Sequence, residues 1–421
     1  MSVAIHMPAV RSPADAVLIT GVGVVSPLGN SFDDVADALL AGRSGVRSVP
    51  AADFAREQTQ FAAPVDLIPQ PPAGICPDAA EIARLGRLER LCLAPIAAAL
   101  ADAGLRPGQV QSLGGRRIGL VLGLGAEQLK SWELDFLAGG SEVFEPRREP
   151  TIVHRLARLV GIAGPAVTVA AACASSGCAM ALGRNWIDAG WVDACVVGGC
   201  DILSPTAIAA FYNLRALSRR SDDPTRASRP FDRDRDGFVM GEGGGFFVLE
   251  RRQPAADRGA RIYGELAGVG MSSDAFHMVS PCSDPTQAAR AISEALSDAG
   301  IAADEVDYVN AHAAGTPVGD AAEAGAIRLA LGAAADRVPV SSTKSMTGHL
   351  ISGAAAFEAV ACLAAIHRNA VPPTLNLDTI DDACRLDHVP HMARDHRVDV
   401  AASNSFGFGG ANLCLVLRRA A

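Results

Sequence analysis

Val167-Thr168-Val169-Ala170-Ala171-Ala172-Cys173-Ala174-Ser175-Ser176-Gly177-Cys178-Ala179-Met180-Ala181-Leu182 is an apolar, β-prone run that passes straight into a segment of small residues. The first half reads as a strand and the second as a buried helix, the repeating unit of an α/β architecture. Cys173 stands at the turn between them. A sulfur at the start of a helix sits in partial positive charge, which favours the nucleophilic thiolate. The same residue also reads as a small core hydrophobe, the common fate of a lone cysteine.

Two histidine segments bear on that choice. In Tyr308-Val309-Asn310-Ala311-His312-Ala313-Ala314-Gly315-Thr316-Pro317, a strand-like run ends at the histidine and gives way to a Gly/Pro turn. In Val340-Ser341-Ser342-Thr343-Lys344-Ser345-Met346-Thr347-Gly348-His349, the histidine precedes an apolar helix expected over residues 350–366. Strand ends are where functional groups collect in open α/β folds. Each histidine alone is as easily structural. With Cys173 they form a Cys-His-His set whose members are far apart in sequence, as catalytic partners often are.

The two halves of the chain echo each other. A strand, a small-residue helix and a further strand over 192–200 surround Cys173. A strand near Ser342, a helix and a strand over 398–403 follow the same order around His349. The openings at 17–26 and 262–273 echo as well. A duplicated α/β body with layered sheets and helices is expected. Its junction falls near residues 251–261, where Arg251-Arg252-Gln253-Pro254 breaks the pattern. The expected divisions are residues 1–15 as a disordered leader, 16–255 carrying the cysteine, and 256–421 carrying both histidines.

Of 421 residues, 49% are hydrophobic and 20% charged, enough for a large core. No apolar run is long enough to span a bilayer, so no membrane role is expected. A net charge of −9 argues against general nucleic-acid binding. The ten cysteines have no CxxC spacing, so they read as reduced thiols of a cytoplasmic protein, with no metal site.

The chain resembles the β-ketoacyl-acyl-carrier-protein synthases of the synthase II type, in the thiolase superfamily. The resemblance runs from about residue 17 to 417. It is carried by Thr20-Gly21-Val22-Gly23-Val24-Val25-Ser26-Pro27-Leu28-Gly29-Asn30, Ala171-Ala172-Cys173 and Ala227-Ser228-Arg229-Pro230-Phe231-Asp232 with its continuation to Gly243. The segment 344–349 and Asn404-Ser405-Phe406-Gly407-Phe408-Gly409-Gly410-Ala411-Asn412 complete it. It implies a thiolase-like fold of two pseudo-symmetric halves in α-β-α-β-α layers, and decarboxylative condensation of an acyl group with malonyl carrier protein. The products would serve fatty acid or specialised polyene or polyketide-type lipid synthesis. It implies Cys173 as nucleophile, with His312 and His349 as donors to the malonyl thioester oxygen. The backbone N–H groups of Cys173 and Phe406 would form the oxyanion hole, and Phe406 and Phe408 a gate. Lys344 and Glu358 would be a buried pair that sets field and geometry. Thr316 and Phe406 would contact substrate, and Arg87 and Arg220 the acyl carrier protein. No cofactor is implied beyond the phosphopantetheine that substrates carry. The partners would be the carrier protein and a second subunit, in a homodimer or a heterodimer with a paralogous subunit.

Two departures from the family pattern matter. Ala314 stands where the first of two threonines touching the pantetheine arm is usual. Ala126 stands at the usual apolar end of the acyl pocket, within a poorly matched segment 126–150, which favours a specialised substrate. A chain-length-factor-like subunit without catalysis is the alternative reading, but such subunits typically lack the cysteine. A thiolase would need a second cysteine at the C-terminal glycine loop, and here that loop, Asn404-Ser405-Phe406-Gly407-Phe408, holds none.

Overall fold

The computed structural model describes residues 15–49, 61–76, 78–105, 117–125, 139, 151–220 and 222–420. The expected leader, apart from Asp15, and Ala126 with most of its segment lie outside these residues. Among them, eleven strands form one hydrogen-bonded sheet. Counting only the strands of this sheet and the helices packed on it, the first half holds β1 (Val17–Val25), α1 (Arg87–Asp102), β2 (Ile118–Gly123), β3 (Ala166–Val169), α2 (Ser175–Asp188), β4 (Ala194–Asp201) and β5 (Gly243–Arg251). The second holds β6 (Gly264–Ser273), α3 (Thr286–Ala299), β7 (Tyr308–Asn310), α4 (Pro317–Leu331), β8 (Pro339–Ser341), α5 (Ala354–Arg368), β9 (Asp387–His388), β10 (Val400–Gly407) and β11 (Ala411–Arg418).

The duplication is explicit in the strand order. The first half runs β1-β5-β4-β2-β3 and the second β6-β11-β10-β7-β8, with β9 added at its edge. Both go antiparallel, antiparallel, parallel, parallel. The halves join at one short seam, Leu18 opposite Glu265 and Ile19 opposite Gly264. All nine residues of β1 are buried, which explains its nearly continuous apolar sequence. The echoed opening strands meet matching helices: a Cβ on Gly23 would come within 1.9 Å of Pro95 O in α1, and one on Gly270 within 2.0 Å of Ala291 O in α3. Glycine is needed at both because the helix backbone lies directly on the strand.

Helices α2 and α5 lie between the two halves of the sheet, and their side chains share one core with β1, β5 and β11. Every residue of α5 from Ala354 to Ile366 is buried. Helix α1 covers the outer face of the first half and α3 and α4 that of the second, each over its own core. These are the expected α-β-α-β-α layers. The expectation that no apolar run is long enough to span a bilayer is corrected at Ile351–Arg368, which is long and apolar enough by length and composition, and which here is mostly buried as the central core segment. The strand before Cys173 stops at Val169, earlier than expected, and residues 170–174 form a turn. The helix after His349 starts at Ala354 and not at 350. In each case a one-turn 3-10 element comes between, Ala172–Ala174 and Ile351–Gly353.

Candidate active site

Cys173, His312 and His349 come together at the base of a funnel open to solvent. Their reactive atoms lie within 4.8 Å of one another. By donor type, this set could also hold a soft ion such as zinc once the thiol is deprotonated.

Cys173 is placed by the turn between β3 and α2. Ala172 takes a positive φ of 49°, a strained conformation for a residue with a side chain. The Ser175 hydroxyl holds that turn, donating to Ala172 O at 2.6 Å and accepting from the Ala171 N–H at 2.9 Å. The thiol is buried. Burial pushes it up to about 12, opposed by the charge of Lys344 and a hydrogen bond from the Phe408 N–H, while Glu358 and Asp201 push the same way as burial. This corrects the expectation that the helix start favours a resting thiolate: loss of water around the sulfur outweighs the helix end.

His349 Nε2 lies 3.1 Å from Cys173 Sγ. The Ile351 N–H donates to His349 Nδ1 at 3.3 Å, which leaves the ring proton on Nε2, facing the sulfur. The Phe238 ring packs edge-on against this imidazole with centroids 5.3 Å apart. His312 meets His349 edge-on at 5.2 Å. Its own backbone N–H and that of Ala313 donate to Glu323 at 2.8 and 2.6 Å. Its Nδ1 is buried with no protein partner among the described residues. Burial and the nearby Lys344 hold both histidines well below their ordinary value, so both are neutral.

Lys344 lies behind the histidines, buried on the short helix Lys344–Thr347, and pairs with Glu358 of α5. Burial raises Glu358 to about 7 against the pull of Lys344.

Phe406, Phe408, Thr316 and Ala314 line the funnel. Of the two backbone N–H groups, the one that bears on the Cys173 thiol, holding it down, is that of Phe408. Phe406, the donor expected from the sequence, lies in β10 opposite Asn412, whereas Phe408 lies just beyond the strand, past Gly407, which sits on the cysteine turn. The Phe406 ring packs 6.1 Å from that of His312, and the Phe408 ring 5.9 Å from that of Phe211.

Arg87 and Arg220 do not line the funnel. The Arg87 guanidinium forks onto buried Glu242 and also donates to Val65 O at 2.7 Å. Arg220 donates to Asp234 O at 2.8 Å. Glu323, Asp320 and Asp201 went unread in the sequence. Asp320 and Glu323 sit three residues apart at the start of α4, and a pair of carboxylates on the inward face of a helix is the signal that could have marked them. Burial raises Asp320 to about 6 and Glu323 to about 7.

The chain matches the beta-ketoacyl synthase N-terminal domain over residues 14–255 and the beta-ketoacyl synthase C-terminal domain over 263–378. It is 39% identical over 412 residues to a 3-oxoacyl-[acyl-carrier-protein] synthase 2 of Synechocystis sp., covering 96% of this chain and 98% of that protein. It is 37% identical over 421 residues to the tetracenomycin polyketide synthase ketoacyl synthase alpha subunit of Streptomyces glaucescens, covering 97% and 98%. Among solved structures, the ishigamide ketosynthase/chain length factor is similar, with a TM-score of 0.84 at 32% identity over 96% of this chain and 99% of that one.

Proposed function

The chain belongs to the β-ketoacyl synthase family, and on that premise we propose that it is a condensing acyltransferase which joins a Cys173-bound acyl group to malonyl-acyl carrier protein. The observation that carries the reading is the meeting of Cys173 Sγ with His349 Nε2 at 3.1 Å, with His312 beside them, at the base of one funnel.

In the first half-reaction the Cys173 sulfur attacks the thioester of an acyl carrier protein. Its proton goes to the departing pantetheine sulfur, so no net charge is left in the buried site. The N–H groups of Cys173 and Phe408 hold the oxyanion of the tetrahedral intermediate, a contribution of about 3–4 kcal/mol per donor in well-formed sites. In the second, malonyl carrier protein enters the emptied funnel. Its C–C bond to the carboxylate breaks, carbon dioxide leaves, and the electron pair becomes an enolate. Neutral His312 and His349 donate N–H groups to that enolate oxygen. The enolate carbon attacks the Cys173 thioester, the C–S bond breaks, and the departing sulfur takes up a proton from solvent at the funnel mouth. The product is 3-oxoacyl carrier protein.

Lys344 and Glu358 act behind the histidines through charge and not by proton transfer. The substrates bring their own phosphopantetheine, and the reading needs no further cofactor. The enzyme works in the cytoplasm, with acyl carrier protein as partner and with a second copy or a paralogous subunit beside it. The end use is fatty acid or specialised polyene or polyketide-type lipid synthesis. The presence of Cys173 with both histidines favours this over a chain-length-factor role.

Intact-protein mass after incubation with an acyl carrier protein should rise by one acyl group. Adding malonyl carrier protein should remove that mass and release 3-oxoacyl product. Cys173→Ala should do neither, and a normal turnover rate in that variant would sink the assignment.

A further inference from the structure

The cysteine turn has a counterpart in the second half. Ala172–Ala174 leads into α2, and Ile351–Gly353 leads into α5. The first residue of each turn has a positive φ, 49° at Ala172 and 46° at Ile351. Cys173 is the middle residue of one turn and Ser352 of the other. A positive φ at a β-branched residue such as Ile351 is an outlier that persists only where its surroundings enforce it. What enforces it is visible. Asp201, at the end of β4, accepts the Ser352 hydroxyl at 2.5 Å and the Ser352 N–H at 3.2 Å on one oxygen. Its other oxygen accepts the Ile202 N–H at 2.9 Å. The Ser352 oxygen in turn accepts the Gly125 N–H at 2.8 Å, tying in the chain just past β2. Ser352 is fully buried.

The strained residue has a job at the site. Its N–H is the donor to His349 Nδ1, so the shape of this turn decides which ring nitrogen carries the proton. We propose that Asp201 and Ser352 are positioning residues for His349: they clamp the Ile351 turn so that its N–H holds the imidazole with the proton on Nε2. This rests on the role given to His349 above. Neither residue touches the reacting atoms. Released from the clamp, the turn relaxes to an ordinary φ, the Ile351 N–H swings away, and Nδ1 is free to take the proton. The ring then presents a lone pair where the enolate needs a donor. Condensation suffers, while acyl transfer to Cys173, served by the Cys173 and Phe408 amides, is largely spared.

The test compares the two half-reactions in the full-length protein. Ser352→Ala removes the hydroxyl and adds no bulk. Asp201→Asn keeps the size but offers one good acceptor oxygen where three donors converge. Acylation of Cys173 is followed by intact mass, and condensation of the preformed acyl-enzyme with malonyl carrier protein by product release. Both variants should condense roughly 10- to 100-fold more slowly. Acylation should stay within about threefold, and the KM for malonyl carrier protein should hold. The ¹⁵N shifts of His349 should report Nε2–H in the parent and a mixture of tautomers in the variants. Condensation within twofold of the parent, an unchanged tautomer, or equal loss of both half-reactions would overturn the proposal. Should Asp201→Asn fail to fold, Ser352→Ala decides alone. Should the parent itself neither acylate nor condense, the functional reading fails, and the tautomer measurement still judges the clamp.

Discussion

Gly407 lies directly on the nucleophile turn: a Cβ placed on it would stand 3.2 Å from the Cys173 nitrogen and 2.8 Å from Ala171 O. The end of β10 therefore reaches the cysteine backbone-to-backbone. That contact brings the Phe408 N–H to the sulfur, and only a residue without a side chain permits it.

Gly407→Ala should push these two backbones apart. Overpacking of this kind costs about 1–3 kcal/mol. Falling on the oxyanion donors, it would slow Cys173 acylation by roughly 5- to 150-fold. Single-turnover acylation with a melting curve beside it separates the local effect from loss of fold. Acylation at the parental rate would show that the Phe408 amide needs no such approach.

The two histidines are held well below their ordinary value first by burial and then by Lys344. Both stay neutral through pH 7, so the acid limb of condensation should lie below about 6.5, the free imidazole value. Replacing the pair together, Lys344→Met with Glu358→Gln, avoids stranding a buried carboxylate. Loss of the Lys344 charge removes one cause that lowers both histidines, so the acid limb should move up toward 6.5. It should also push the Cys173 thiol further up, since Lys344 pulls it down. The check is kcat/KM against pH in parent and double variant. An acid limb that stays put would place the histidines outside the field of Lys344.

The duplicated fold was legible because strand-turn-helix units announce themselves by composition, and the same unit recurs around Cys173 and His349. The three reactive residues were legible because each follows a strand in the chain, His312 by two residues, Cys173 by four and His349 by eight, across the short helix Lys344–Thr347. Turn geometry was not. Phe406 and Phe408 are both phenylalanines among glycines, and only the exact end of β10 tells which amide meets the sulfur. Nor was the buried polar bracing. Asp201 and Ser352 are 151 residues apart, and Glu242 and Arg87 are 155 apart. Such pairs leave no periodicity to read. Arg87 was expected to meet the carrier protein, and its pairing with Glu242 could not be read beforehand because that carboxylate arrives from another part of the chain.

Ala314 lines the funnel beside Phe238 and Phe211, with Thr316 as the nearby hydroxyl. Ala314→Thr should supply a second hydroxyl to the pantetheine arm. One added hydrogen bond is worth roughly 0.5–1.5 kcal/mol net. KM for the acyl carrier protein should fall by about 2- to 10-fold with kcat nearly unchanged. The measurement is steady-state turnover over a range of carrier concentration. A raised KM would mean that the wall at 314 meets an apolar part of the substrate.

Among the described residues, strand β3 is the last of the sheet, paired on one side by β2. Its four residues, Ala166, Val167, Thr168 and Val169, are all partly exposed although three are apolar. A partly exposed apolar edge of this kind invites pairing with another chain. On its inner side the Leu120 N–H donates to Pro165 O at 2.9 Å and the Leu124 N–H to Val169 O at 3.0 Å. In a parallel ladder, bonded residues alternate, so 165, 167 and 169 face β2, and Ala166 and Thr168 turn their backbone groups outward. A second subunit pairing along this edge would take the Thr168 N–H. Thr168→Pro deletes that N–H and leaves the inner ladder intact, a substitution an edge strand tolerates. We expect light scattering to show a dimer for the parent and a shift toward monomer for the variant. Activity should fall with it, because β3 runs within four residues of Cys173 and its edge partner steadies the approach. A parent that is a stable, active monomer would refute the pairing, and a Thr168→Pro dimer with parental activity would place the seam elsewhere on the surface.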